Sequence, residues 1–224
     1  MLARITSLLS IALAAALFTS CGGTSGLHVL SDSATKGHGG SSLASFNSRS
    51  KTSTQLPAPS ESLLAAAKSK PKDKHSMPIY SYQERRRVVR TTAYTHTESD
   101  HLKYGAMNAT GTPLRYNNRV RSAAADWSFY PVGTTFRIKG MPYLYVVDDY
   151  GSALTGTGTI DIFKPSREVM NLWGRRTVEI NIVQWGSFDR SAELLSKRTG
   201  YSHCRQMLAN LVRQKPELGK FAKR

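Results

Sequence analysis

Between Val146 and Phe163 the chain reads VVDDYGSALTGTGTIDIF, which sets three carboxylates, Asp148, Asp149 and Asp161, among β-branched residues, aromatics and glycines. Carboxylates in strand-forming sequence either solvate an outer face or, where a glycine turn folds the chain back, converge in a groove. Converging carboxylates suit proton transfer, because repulsion between like charges and burial keep one of them neutral and able to donate. Upstream, AAADWSFYPVGTTFRI places a fourth, Asp126, at the end of a small apolar run, with Gly133 turning the chain into a strand. The period of two sorts these groups by face. In TIDIF, Ile160 and Ile162 take one face while Thr159, Asp161 and Phe163 take the other. In YLYVVDD, Asp149 is expected on the face of Tyr145 and Val147 and Asp148 on the opposite face, so the adjacent pair is expected to do two different jobs. Taken singly, each aspartate is equally a turn cap. Tyr94, in TTAY, is a candidate for stacking on or hydrogen-bonding a ligand, or is a tyrosine of the core. HTESDH, residues 96–101, reads as a polar loop rather than a metal site, and the six histidines contain no pair at metal-ligand spacing. With no glycine-rich phosphate loop between a strand and a helix, no cofactor is implied.

The elements that must hold these residues are short strands. RRRVVRTTAYT, TTFRIK, YLYVVDD, TIDIF and TVEINIV alternate or are rich in β-branched residues, and Gly-bearing turns separate them. One helix interrupts them, KPSREVMNLWG, with Pro165 in its first turn, Glu168 near the positive end of the dipole and Gly174 as its stop. That order predicts a mainly β fold, a small β-barrel over residues 78–190 with one short inserted helix. Residues 191–224 follow as a basic tail with apolar spacings that fit amphipathic helices, packed on the barrel or lying on an anionic surface.

Ahead of the barrel, residues 21–77 are rich in Ser, Gly, Ala, Lys and Pro and read as a disordered tether. Residues 1–20 carry one charge, Arg4, and an apolar run from Ile11 to Phe18, which predicts a secretory signal. LFTSCGG resembles a lipobox, with Cys21 as the acylated residue; the alternative is a plain signal peptide with a cysteine near its cleavage site. The second cysteine, Cys204, would pair with Cys21 only if Cys21 is not acylated. The net charge is +16, from 31 Lys and Arg against 15 Asp and Glu, so a long-range partner is anionic. Residues 78–190 hold 15 basic and 10 acidic side chains, a difference of only +5, which argues against nucleic acid.

Asp126, then Pro131-Val-Gly133-Thr134, then DYGSALTG from Asp149, then Asp161 in IDIF make a pattern that resembles the 3D domain, named for its three aspartates. TTAYTHT and NATGTPLR upstream and NLWGRRTVEINIV downstream extend the resemblance over residues 88–185. The chain differs from the family pattern in having Thr155 at the place of a lysine and one extra residue between Asp149 and Asp161. The resemblance implies a six-stranded double-psi β-barrel, as in the catalytic barrel of membrane-bound lytic transglycosylase A and in stationary-phase survival wall proteins. It also implies cleavage of peptidoglycan glycan strands between N-acetylmuramic acid and N-acetylglucosamine to leave 1,6-anhydro ends. Asp161 would serve as acid and base, Asp149 and Asp126 as its charged neighbours, and Tyr94 and Asp148 as substrate contacts. The expected partners are glycan strands and, through Cys21, an envelope membrane facing the wall. A double-psi barrel that binds glycan without cutting it, or a lipoprotein that ties envelope to wall, would share the same surface.

Overall fold

The computed structural model describes residues 55–222 except residue 100. The signal segment, Cys21 and the tether as far as residue 54 lie outside the described residues.

Six strands form the centre: β1 (Arg86–Tyr94), β2 (Val120–Ala125), β3 (Thr135–Ile138), β4 (Leu144–Asp149), β5 (Ile160–Phe163) and β6 (Arg176–Gln184). Hydrogen bonding runs β1-β5-β2-β4-β3-β6 and returns to β1, so the sheet closes into a ring. β1–β5 and β2–β4 are parallel, and the other four pairings are antiparallel. Phe136, Tyr145, Val147, Ile160, Ile162 and Ile180 point inward and are fully buried, which is where strand alternation collects the apolar residues. β2 is the strand that composition conceals. Its VRSAAA is poor in β-branched residues, yet it sits between β4 and β5 with five of its six residues buried, so small side chains fit where both faces are covered.

The inserted helix is α2 (Arg167–Trp173). Ser166 caps it, accepting a hydrogen bond from the Val169 amide, so Pro165 stands before the cap and not in the first turn. Gly174 ends it at φ +59°, a conformation that costs a glycine little.

Two flanking regions depart from a bare ring. The last part of the expected tether is ordered: α1 (Glu61–Lys68) packs beside β1, and Asp73 accepts the amides of His75 and Met77 before its other oxygen takes the Gly158 amide at 2.9 Å. Lys74 bonds the Thr155 carbonyl at 3.0 Å. Composition hid this segment because polar contacts to distant residues, rather than apolar burial, hold it; Ala67 is the one buried residue of α1. The tail packs on the ring. Its α3 (Phe188–Ser196) begins before residue 191, and with α4 (Ser202–Gln214) it buries Ala192, Leu195, Cys204, Met207 and Leu211 in the same core as the strands. Among the described residues no helix is long and apolar enough to cross a membrane.

Glu179 ties the N-terminal segment to the ring. It faces outward from β6, pairs with Arg86 at 2.6 Å and Lys139 at 3.5 Å, and accepts the Ser60 amide at 2.9 Å. Burial pushes its carboxyl up, but Arg86, the Ser60 amide and Lys139 outweigh that and hold it down at about 2. A depressed folded value means stabilisation that is present above the unfolded carboxylate range and lost as pH falls towards 2. Glu179→Gln is therefore expected to lower the melting temperature at pH 7 by a few degrees, on the order of 1 kcal/mol, with the two melting curves converging near pH 2.

Candidate functional site

The strand registers bring the aspartates together. Thr92 of β1 pairs with Asp161 of β5, Asp161 pairs with Ala124 of β2, and Ala124 pairs with Asp149 of β4. Paired residues share a face, so Thr92, Asp161, Ala124 and Asp149 form one row across four strands on the outer side of the ring. Asp161 keeps the face expected for it, opposite Ile160 and Ile162, and is half-buried. Its Oδ1 accepts the Thr92 hydroxyl at 2.7 Å.

Asp149 reaches this row through an irregularity. Ala123 pairs with Val147 but Ala124 pairs with Asp149, which leaves Asp148 as an extra residue in β4. A bulge of one residue reverses the alternation beyond it. Val147 therefore stays inward while Asp149 turns outward, contrary to the expectation that the two share a face. The expected division of Asp148 from Asp149 by opposite faces also fails, since Asp148 accepts the hydroxyl of Ser122, the residue two before Ala124 on the same outer face.

Each oxygen of Asp149 has a partner. Oδ2 accepts the Tyr94 hydroxyl at 3.1 Å, and Oδ1 accepts the amides of Ala109 at 3.1 Å and Tyr150 at 2.9 Å. Burial raises the affinity of this carboxyl for a proton, and those donors oppose the rise. Tyr94 is buried, its ring set among Phe163 and His101, and burial followed by the Asp149 charge holds its phenol well above the usual range. Its hydroxyl is bonded to Asp149, and the residue also lines the cleft over this row. Asp148 is buried beneath the row, with burial foremost in pushing it up to about 6, and it does not line the cleft.

Asp126 stands apart from the row. It is fully buried; Oδ1 accepts the Ser128 amide at 2.7 Å and the Ser128 hydroxyl at 2.6 Å, and Oδ2 accepts the Gly156 amide at 2.6 Å. Gly156 has φ +76°, so Asp126 fastens the left-handed turn of the loop that leads from Asp149 to Asp161. That loop is held by Asp126 at Gly156 from inside and by Lys74 at Thr155 and Asp73 at Gly158 from the N-terminal segment.

Over the row lies an open cleft of about 170 Å³, lined by Tyr94, Glu98, His101, Asp149, Leu154 and Asp161 among others. Glu98 and His101 belong to HTESDH, whose polarity carries no sign that it lies over strand residues. The tail also reaches the site: Arg198 donates to the Ala109 carbonyl at 2.7 Å and to the Tyr150 hydroxyl at 3.2 Å, gripping the two residues whose amides hold Asp149. A half-exposed carboxyl beside a buried, fully bonded one can move a proton to and from a bound group. Among the described residues no group of three or more His, Cys, Asp or Glu side chains is placed to hold a metal ion.

Comparison with known proteins gives the same region a family. Over 96 residues the chain is 34% identical to YabE of Bacillus subtilis (strain 168), whose name assigns it to cell wall shaping; the match covers 43% of this chain and 22% of that protein. Over 101 residues it is 30% identical to the cell wall-binding protein YocH of the same organism, covering 45% of this chain and 34% of the relative. The chain thus spans no more than about a third of either relative. The sequence model of the 3D domain family matches residues 121–184, a span that runs from Arg121 in β2 to the end of β6 and includes Asp126, Asp149 and Asp161, and over those residues the chain carries a 3D domain.

Proposed function

We propose that this protein cleaves the glycan strands of peptidoglycan as a lytic transglycosylase, with Asp161 as the acid and base. The observation that carries the reading is the row itself: a half-exposed Asp161 beside a buried Asp149 on the floor of an open cleft. The cleft is smaller than the roughly 300–1,000 Å³ that encloses a whole ligand, which suits a segment of polymer laid across it. A neutral Asp161 donates its proton to the bridging oxygen as the bond from that oxygen to C1 breaks. The C6 hydroxyl of the same sugar then bonds to C1 and returns a proton to Asp161. No water is consumed, so one carboxyl suffices where a hydrolase uses a pair spaced around a water. Asp149 favours the protonated form of its neighbour by charge, and Asp126 keeps the connecting loop in shape.

The six-strand order with parallel pairs β1–β5 and β2–β4 supports a double-psi β-barrel for the ring. The names of the two relatives support a wall partner. One of them is named for binding, which favours a second reading, a module that holds glycan without cutting it. Mass spectrometry of sacculi incubated with the purified chain separates the two: cleavage yields 1,6-anhydro-ended fragments and binding yields none.

The proposed location is the cell envelope, with the chain anchored through acylated Cys21. A labelled fatty acid is expected to enter the native chain and not Cys21→Ser; equal labelling of both excludes the anchor.

A further inference from the structure

At the end of the ring where β2 and β6 begin and β5 ends, three cations meet that the proposed cleavage does not use. Arg121 has the inward parity of Ala123, Lys164 that of Ile162, and Arg176 that of Val178. Aromatic rings join them. Tyr116 lies under Arg121 at 4.0 Å and Lys164 at 5.7 Å, and Trp173 under Lys164 at 4.2 Å and Arg176 at 4.6 Å, while Tyr143 faces Arg121 at 3.4 Å. Arg121 and Lys164 are buried, 6% and 3% exposed, and among the described residues neither forms an ion pair. The hydrogen bond of Arg121 is a long one, 3.4 Å to the Asn117 carbonyl.

Buried charge without a counter-charge is costly, and ring faces offset only part of that cost. One further group is short of a partner. The indole N–H of Trp173 is buried without a hydrogen bond, and the hydroxyl of Tyr145 has Arg121, Tyr116 and Tyr143 as its neighbours. An indole N–H only donates, so it needs an acceptor. Cations and donors here thus call for one kind of group, an acceptor that carries negative charge.

We propose that this end of the ring is an oxyanion-binding site, taking a phosphate or carboxylate group between Arg121, Lys164 and the Trp173 indole N–H. The guanidinium fork matches either anion, and charge-assisted bonds are about twice as strong as neutral ones. Burial, then the neighbouring Arg121 and Arg176, hold Lys164 down at about 8, the strain an anion would relieve. The site does not depend on whether the cleft cleaves or only binds glycan.

Thermal melting and calorimetric titration of the full-length chain with inorganic phosphate and with acetate, at constant ionic strength against chloride, test it. At least one of the two is expected to raise the melting temperature above the chloride control, as any ligand of the folded state does, and the larger effect identifies a phosphate or a carboxylate source. Lys164→Met is expected to bind that anion at least about tenfold more weakly. In chloride alone it should melt no lower than the native chain, since it removes a buried charge that its cationic neighbours repel. Trp173→Phe keeps a ring under the cations and removes the donor, and should weaken binding in the same direction. A native chain that responds to phosphate and acetate no more than to chloride overturns the site, and so does a Lys164→Met chain that binds as tightly as the native one.

Discussion

Asp161→Asn is expected to abolish the release of anhydro-ended fragments from sacculi, a loss of about a hundredfold or more, the lower end for general acid–base help. The fold should survive. The amide oxygen can still accept the Thr92 hydroxyl that now bonds Oδ1 at 2.7 Å, and the side chain is only half-buried, so melting and retention on sacculi should match the native chain. What the amide cannot do is give up a proton and take it back. Asp149→Asn should act differently, because its carbonyl oxygen can keep the Ala109 and Tyr150 amides while the negative charge beside Asp161 disappears. Activity should persist in part, with the alkaline limb of the pH profile moved to lower pH, since a carboxyl without an anionic neighbour loses its proton more readily. If the native chain gives no anhydro product at any pH and is retained on sacculi as well as Asp161→Asn, the cleft binds glycan without cutting it.

The second large effect is structural. Asp126→Ala leaves the Ser128 amide, the Ser128 hydroxyl and the Gly156 amide without the buried carboxylate that now accepts all three. Loss of such a hub costs about 3–5 kcal/mol, a large share of the roughly 5–15 kcal/mol that a domain has. Thermal denaturation followed by circular dichroism should show a melting temperature lower by ten degrees or more on the order-of-magnitude scale of such losses; a fall of only a degree or two would mean that the loop around Gly156 is held mainly by Asp73 at Gly158 and Lys74 at Thr155. The native chain carries a related pH signature. Burial raises Asp126, Asp148 and Asp149, with Asp148 at about 6 against an unfolded 3.8. The folded state therefore binds more protons than the unfolded one across that interval, and these groups take stability away as pH rises through it. Glu179 acts in the opposite sense below it, so melting should be highest in mildly acidic buffer.

Much of this was legible in residue types. β1, β3, β4, β5 and β6 stand out by their β-branched and aromatic residues, and α2 by Glu168 and Gly174. The outward face of Asp161 follows from two isoleucines in a strand without irregularity. The face of Asp149 does not, because the inversion between Val147 and Asp149 comes from pairing with β2, a property of two strands that neither strand's composition records. Asp126 reads as a third member of the cluster because linear order cannot separate a carboxylate that lines a cleft from one that bonds its loop. Composition does not mark α1 and Asp73, since their anchors are polar and distant, Gly158 and Glu179 among them. Arg198 is hidden for the same reason, being one basic residue in a basic tail.

The extra residue at Asp148 changes how insertions and deletions in β4 should be weighed when homologous genes are compared. In most strands the loss of one codon shifts a register that the next turn absorbs. Here an in-frame deletion of either codon of the Asp148–Asp149 pair leaves one aspartate behind, so an alignment column would still show the acid in place. With the strand regular again, Val147 would stay inward and the residue after it, the remaining acid, would point outward opposite Ala124, where Asp149 now stands, and the acid that now bonds Ser122 would be gone. A gap of one residue at this point therefore marks a lineage that keeps the second carboxylate of the cleft and lacks the buried acid bonded to Ser122.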